Sequence, residues 1–310
     1  GKLEGLSLSS ADFDGAADYF SVGDTADMSF GDGSTDTPFT MSAWVRMDDA
    51  TRFEIMTKGI ANTQFEWMFF TNGGDNFSLL IADESVTDCW TGRVTTTAVT
   101  SYENQWVHFA ATYSGDETDS NNGIALYING VEVDAEDNDS NSGSYVAMEN
   151  GSAAVHIGRY DSHYANGDIR DLKMFDYDLS ADQIASLYSG SYNVTPLHWY
   201  KFDEGSGNAT DSGTNSVLAS EAGSCGRTDG TLDLDSTLTI SANGTLSAPR
   251  GTLQVKSTVQ NDGGTYTHNS GTFEFDAAVS SQDFNAGGSG TAFTFHNVIA
   301  ANANVNQYKS

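Results

Sequence analysis

The sequence predicts an all-β protein, a two-sheet sandwich followed by a smaller β-rich segment with the character of a β-solenoid. Three observations carry that prediction. The composition combines 32 glycines and only 3 prolines with a remainder dominated by Ser, Thr, Asn and Asp, which suits short strands joined by many polar turns. Period-two apolar alternation recurs in short runs from about Phe39 onward. Beyond residue 230, a Gly-Thr dipeptide recurs at intervals near 20 residues, the mark of stacked rungs.

Taken in order, Phe39, Met41, Ala43, Val45 and Met47 alternate with Thr40, Ser42, Trp44 and Arg46, a half-buried strand with one apolar face. Similar runs lie at 66–70, 77–82, 106–113, 124–129 and 155–158. One helix interrupts them. Ser180 followed by Gln183 forms a capping box, Ile184, Leu187 and Tyr188 share a face, and Gly190 suits the left-handed terminating position. Its short length points to packing on the sandwich edge. The Gly/Ser-rich stretch 206–229 reads as loop or linker. Gly-Thr then marks Gly230, Gly244, Gly251, Gly264 and Gly271, and Gly290-Thr291 precedes Phe293. Hairpins punctuated by Gly-Thr are the alternative to a solenoid. The predicted organisation is therefore 1–190, then 191–229 with a strand at 197–205, then a repeat domain over 230–310.

The 310 residues carry 13 Lys plus Arg against 43 Asp plus Glu, a net charge of -30. Coulomb repulsion opposes a nucleic-acid backbone or an anionic membrane as partner. The hydrophobic fraction of 38% is too high for a disordered acidic tail. No apolar run approaches the ~18 residues of a membrane span, the first ten residues lack signal-peptide character, and a start at Gly rather than Met implies a processed or excised chain. Two cysteines, Cys89 and Cys225, can pair or remain free thiols, and neither choice makes a disulfide framework.

Residues 1–190 resemble the laminin-G-like, concanavalin-A-like jelly-roll family. The resemblance rests on Phe13-Asp14-Gly15 with Asp18-Tyr19-Phe20, on Phe39 to Val45, and on Trp106 to Ala110 leading to Tyr113. It continues through Leu126 to Gly130, His156-Ile157-Gly158, Gly167 to Leu172, and Leu179-Ser180 before Leu187-Tyr188. A further stretch, His198 to Gly207 and then Asp211-Ser212-Gly213, resembles the strand with which such jelly rolls begin. It either returns to complete the sandwich or opens a truncated second module; the absence of further module pieces favours the first. The whole string also resembles large surface proteins of bacteriophages and marine microbes. That resemblance implies an extracellular or virion-surface setting, and the open end of a solenoid adds a homo-oligomeric or particle-bound state.

Three chemistries compete. Glu132-Val133-Asp134-Ala135-Glu136 has the E-x-D-x-E spacing of retaining glucanases, with three carboxylates on one strand face. The following Asp137-Asn138-Asp139 argues instead for a solvated loop, and the expectation is a non-enzymatic protein. Calcium is implied by the family resemblance at the Asp-Gly-x-x-Asp loop and the Gly-Asp-Ile turn, which gives Asp14, Asp18 and Asp168; Arg170, standing where the family usually has Asp, removes a ligand. Glycan recognition would use aromatic faces with fixed polar groups. Trp90 with Arg93, and Tyr160, His163 and Tyr164, combine these at expected loop positions. The function expected is a structural or decorating component of a virion or fibre whose jelly roll binds glycans or surface proteins. A bacterial adhesin or lectin is the alternative.

Overall fold

The computed structural model describes residues 9–59, 64–139, 144–192, 194–234, 237–242, 244–248, 251–268, 271–276, 281–285, 294–301 and 304–308. Two compact units are formed, Ala11–Gly226 and one built from Arg227 onward.

The first unit is a sandwich of two antiparallel sheets. Its strands are β1 (Ser10–Asp14), β2 (Tyr19–Val22), β3 (Phe39–Met47), β4 (Glu54–Lys58), β5 (Trp67–Thr71), β6 (Phe77–Asp83), β7 (Cys89–Thr95), β8 (Val107–Tyr113), β9 (Ile124–Ile128) and β10 (Val131–Glu132). They continue with β11 (Ala135–Asp137), β12 (Val155–Ile157), β13 (Arg159–Tyr160), β14 (His163–Tyr164), β15 (Asn166–Phe175), β16 (His198–Tyr200) and β17 (Ala219–Ala222), with helix α1 at Ala181–Tyr188. Sheet 1 runs β10-β9-β8-β3-β15, and sheet 2 runs β11-β7-β6-β5-β4-β12-β2-β17. Period-two alternation sends Met41, Ala43, Val45 and Met47 of β3 inward, where they join Phe69, Phe77, Leu79 and Ile81 of sheet 2 in one buried core. Phe77 and Phe109 tie the two sheets together as parallel stacked rings 4.4 Å apart.

The Gly167–Ile169 segment, expected as a turn, lies within the ten-residue strand β15. Its register against β3 shifts between Arg170 and Lys173, where Asp171 takes a φ of 52°. This bulge separates two partners on the other edge of β15: β1 pairs with 166–169 and β16 with 172–174. The strand at His198–Tyr200 therefore lies in sheet 1, and Ala219–Ala222, inside the stretch read as linker, pairs with β2 in sheet 2. His198 and Asp211 organise this return. Both are buried, and His198 Nδ1 lies 2.7 Å from Asp211 Oδ2. Asp211 also accepts from the backbone N–H groups of Trp199, Gly213 and Val217. Burial works to raise its carboxyl, but these donors hold it below the usual range.

Helix α1 carries the expected capping box, with Ser180 accepting from the Gln183 N–H and Gln183 accepting from the Ser180 N–H. It packs on the outer face of sheet 1 rather than its edge: Ile184 and Leu187 bury against Ala110, Tyr127 and Phe175. Asn129 and Gly130, with φ of 52° and 78°, form the two-residue β9–β10 hairpin. A Cβ on Gly130 would stand 2.9 Å from Tyr188 Cβ, so the helix end and the turn approach closely only because that residue is glycine.

The E-x-D-x-E triplet does not form a three-carboxylate strand face. Glu132 pairs opposite Tyr127 in sheet 1, whereas Glu136 pairs opposite Val94 in sheet 2. The chain crosses between sheets at 133–134, and only one of the outer acids is left in each. Cys89 and Cys225 are both buried, and no disulfide joins them.

The second unit is built from parallel strands. Thr231 lies opposite Thr252, Thr252 opposite Thr272, and Thr272 opposite Asn297, steps of 21, 20 and 25 residues. Thr231–Leu234, Thr245–Ser247, Thr252–Val255, Thr265–Thr267 and Thr272–Phe275 each begin at the Thr of a Gly-Thr pair. Parallel pairing in three sheets is the coil of a β-solenoid and excludes hairpins at these glycines. Leu253, Val255, Phe273, Phe275 and Phe284 fill its interior. Gly290, Thr291 and Phe293 lie outside the described residues.

Candidate ligand-binding site

Strands β5 and β6 are apolar on both faces. While Trp67, Phe69, Leu79 and Ile81 point into the core, the alternate residues Met68, Phe70, Leu80 and Ala82 form a second apolar cluster on the outer face of sheet 2. Register brings them together, with Met68 opposite Leu80 and Ala82 opposite Trp90. Trp90 and Tyr160 pack on this cluster, and Phe65 meets Tyr160 with ring centroids 5.5 Å apart. A cavity of about 450 Å3 opens over these residues, within the size range of small-ligand sites.

Polar groups stand around this apolar base. Arg52, Glu84 and Asp88 line the cavity. The Arg52 guanidinium sits 5.4 Å over the Phe70 ring and 2.8 Å from a Glu54 carboxylate oxygen. Glu84 is oriented by the Phe65 N–H, which donates to its Oε1 at 2.8 Å. Burial, followed by the carboxylates of Glu84, Asp161 and Glu54, pushes the Tyr160 hydroxyl up to about 12, so it remains a neutral hydrogen-bonding group. Aromatic walls, an apolar floor, one guanidinium and two carboxylates at the edge make a surface that stacks on a C–H-rich ring and satisfies hydroxyl groups at its margin.

Of the five residues expected to contact a glycan, Trp90 and Tyr160 meet at this cavity. The others do not line it. Arg93 pairs with Asp137 at 2.5 Å and also donates to the Ala135 carbonyl, closing the β7–β11 edge. His163 is exposed, and Tyr164 contacts Tyr19 and the Arg159 guanidinium. Both belong to the β13–β14 hairpin, whose turn aims only Tyr160 at the cavity. Sequence reading missed Arg52, Met68 and Phe70. The signal available for the last two was the unbroken apolar run Trp67-Met68-Phe69-Phe70, which has no polar face to give to solvent.

The three carboxylates that the resemblance implies for calcium each accept hydrogen bonds from the protein itself. Asp14 Oδ1 accepts from the N–H groups of Ala16, Ala17 and Asp18, and those of Ala17 and Ala16 do most to hold its carboxyl below the usual range. Asp18 accepts from the Ser224 N–H at 2.7 Å. Asp168 is buried and accepts from Arg46 Nε at 2.9 Å. Among the described residues no three His, Cys, Asp or Glu side chains gather as a metal site.

Residues 14–185 match the family model of the concanavalin A-like lectin/glucanases superfamily. The chain belongs to that superfamily. The match covers the sandwich from the end of β1 into α1, so the cavity on sheet 2, the β13–β14 hairpin and most of the buried core fall inside the superfamily module, while Tyr200, Phe202 and Ala219 of the returning segment complete that core from outside it. No curated protein matches the sequence. Several solved structures are similar in fold. A proposed carbohydrate binding protein from Bacteroides ovatus is 15% identical, with 73% of this chain covered, 60% of that one, and a TM-score of 0.45. The native heptameric SAP-like pentraxin of Limulus polyphemus is 14% identical over 56% of this chain and 82% of its own, with a TM-score of 0.35. Domain 4 of AbnA, an extracellular arabinanase from Geobacillus stearothermophilus solved with arabinotriose, is 20% identical over 51% and 69%, with a TM-score of 0.37. The chain thus spans 60% of the length of the Bacteroides protein. Among the described residues no helix is long and apolar enough to cross a membrane.

Proposed function

We propose that the sandwich is a non-enzymatic glycan-binding module whose ligand lies in the cavity on the outer face of sheet 2. The observation that carries this reading is the meeting of Trp90 and Tyr160 over the Met68–Phe70–Ala82 floor, with Arg52, Glu84 and Asp88 at its edge. An apolar base flanked by aromatic rings gains free energy from the C–H face of a pyranose or furanose ring, and the edge groups exchange hydrogen bonds with its hydroxyls. The superfamily assignment agrees with this chemistry. The solenoid unit and the resemblance to phage and marine microbial surface proteins support an extracellular or particle-surface setting, in which the protein acts as a fibre or decoration component or as an adhesin.

The test is a glycan array on the full chain followed by calorimetry with the strongest neutral oligosaccharide. Trp90→Ala is expected to weaken binding at least tenfold with an unchanged melting temperature. Binding unaffected by Trp90→Ala and by Arg52→Ala would remove the ligand from this cavity. Sedimentation of the same sample distinguishes a fibre component, which self-associates without sugar, from a dispersed lectin.

A further inference from the structure

The outer face of sheet 1 gathers several of the chain's few cations, two of them paired with buried carboxylates, Arg46 with Asp168 and Lys173 with Asp171. Of the 13 basic residues in 310, Arg46, Arg170, Lys173 and Lys201 lie here, interleaved with Trp44, Trp106 and Trp199. The Arg170 guanidinium is 4.0 Å over the Trp106 ring and 5.3 Å from that of Trp44. Arg46 stands 5.8 Å from Trp106, and Lys173 and Lys201 stand 4.8 and 4.0 Å from Trp199. Strand register produces the row: Arg170 lies directly opposite Trp44 on β3, and Lys173 opposite Trp199 on β16.

Arg170 differs from its neighbours in what it is paired with. Asp168 is taken by Arg46, and Asp171 by Lys173 and the Trp199 indole N–H. Among the described residues no carboxylate lies within ion-pair distance of Arg170, and its Nε has no hydrogen-bond partner. Yet the side chain is partly exposed and is held flat by two indoles. Its Nε is buried, so a carboxylate in bidentate geometry would be met by the two Nη groups of this planar, oriented guanidinium. Asp171 and Asp168 lie close enough to act on the Arg170 charge, so recognition of a carboxylate here rests on the oriented donors rather than on a net positive patch.

We propose that this face is a second ligand site, distinct from the cavity on sheet 2, and that it takes the carboxylate of a uronate-containing oligosaccharide on Arg170. The occupant is taken as a sugar chain rather than an acidic peptide because the sandwich is read above as a glycan-binding module, and the test below separates the two. The site uses a cation that the sheet 2 cavity does not employ.

The experiment is calorimetry of the full chain with tetragalacturonate, with neutral galactotetraose and with a tetra-aspartate peptide, at low and moderate salt. The expected result is binding of tetragalacturonate alone, weakening as salt rises and unchanged by Trp90→Ala. Arg170→Lys, which keeps the charge but loses the planar fork, should weaken it at least tenfold, and Arg170→Gln should abolish it. To guard against misfolding of these variants, the indole N–H resonances of the unaltered protein are followed as well, with those of Trp44 and Trp106 expected to shift and that of Trp90 to stay. Equal affinity for the neutral sugar, retention of binding by Arg170→Gln, binding of the peptide instead, or a shift confined to Trp90 would each overturn the proposal. Loss of neutral-glycan binding in Trp90→Ala is a separate result, bearing only on the cavity.

Discussion

Arg52 Nη2 lies 2.8 Å from a carboxylate oxygen of Glu54, whose side chain is fully buried. Glu54 is pushed up to about 8, because burial penalises its charged form more than Arg52 favours it. Glu66, buried beside Lys58, is raised to about 7 for the same reason. In the unfolded chain both titrate near ~4.3. The native state therefore holds more protons between these values, and stability falls as pH rises through the folded values. The expected outcome is an unfolding free energy that drops by about 2 kcal/mol between pH 7 and pH 9 and levels off above that range. His108 and His156, driven down to about 3 and 4 chiefly by burial, are neutral in both states in that window and add no slope. Glu54→Gln should flatten the curve, and an unchanged slope in the double variant with Glu66→Gln would disprove the assignment.

Asp211 holds the returning segment in place. Its two oxygens serve His198 and three backbone donors, all within the 197–217 stretch that docks β16 on β15. Removing the carboxylate leaves these groups without a partner in a buried setting, which costs roughly 3 kcal/mol or more. Asp211→Ala should lower stability by that amount and raise hydrogen exchange of the Trp199 and Tyr200 amides. Exchange should remain slow in β3 and β8. Uniform exchange across the sheet would mean that the segment does not unfold as a local unit.

Much of this architecture was legible in the sequence, for reasons that differ by residue. Met41, Ala43 and Val45 announce an inner face because alternation is a local property. Ser180 with Gln183 announces α1 because a cap lies within one turn. Thr231, Thr245, Thr252, Thr265 and Thr272 announce solenoid strands because the Gly-Thr repeat reports its own register. What stayed hidden depends on pairing between distant strands. Phe70 reads as core whichever side it takes, and only the register of β5 with β6 shows that it floors a cavity. Arg170 reads as a lost calcium ligand until β15 sets it opposite Trp44. Glu132 and Glu136 read as neighbours on one strand, although the chain changes sheets between them.

Tyr160 tests whether the cavity uses its hydroxyl or only its ring. Tyr160→Phe keeps the contact with Phe65 and removes one hydrogen-bonding group, which predicts a loss of about 1 kcal/mol in affinity for a neutral oligosaccharide. Tyr160→Ala removes the wall and should cost more. Titration calorimetry with the same sugar separates the two, and equal losses would show that the hydroxyl carries the whole contribution.

Phe273 occupies the middle of the solenoid interior, opposite Leu253 on one side and Val298 on the other. Its side chain is buried and meets the rings of Tyr266, Phe275 and Phe295. Truncation to Ala removes a full aromatic ring from a core that each rung shares with its neighbours, for which the expected cost is about 3–5 kcal/mol. A solenoid distributes stability as rung and interface terms, so loss at a central rung unfolds its neighbours rather than a single strand. Phe273→Ala should therefore lower the melting transition of the residues from Arg227 onward and leave that of the sandwich unchanged. Differential scanning calorimetry of the full chain, with Leu79→Ala as the reciprocal variant in the sandwich core, checks it. One transition that moves equally in both variants would show that the two cores unfold as a single cooperative system.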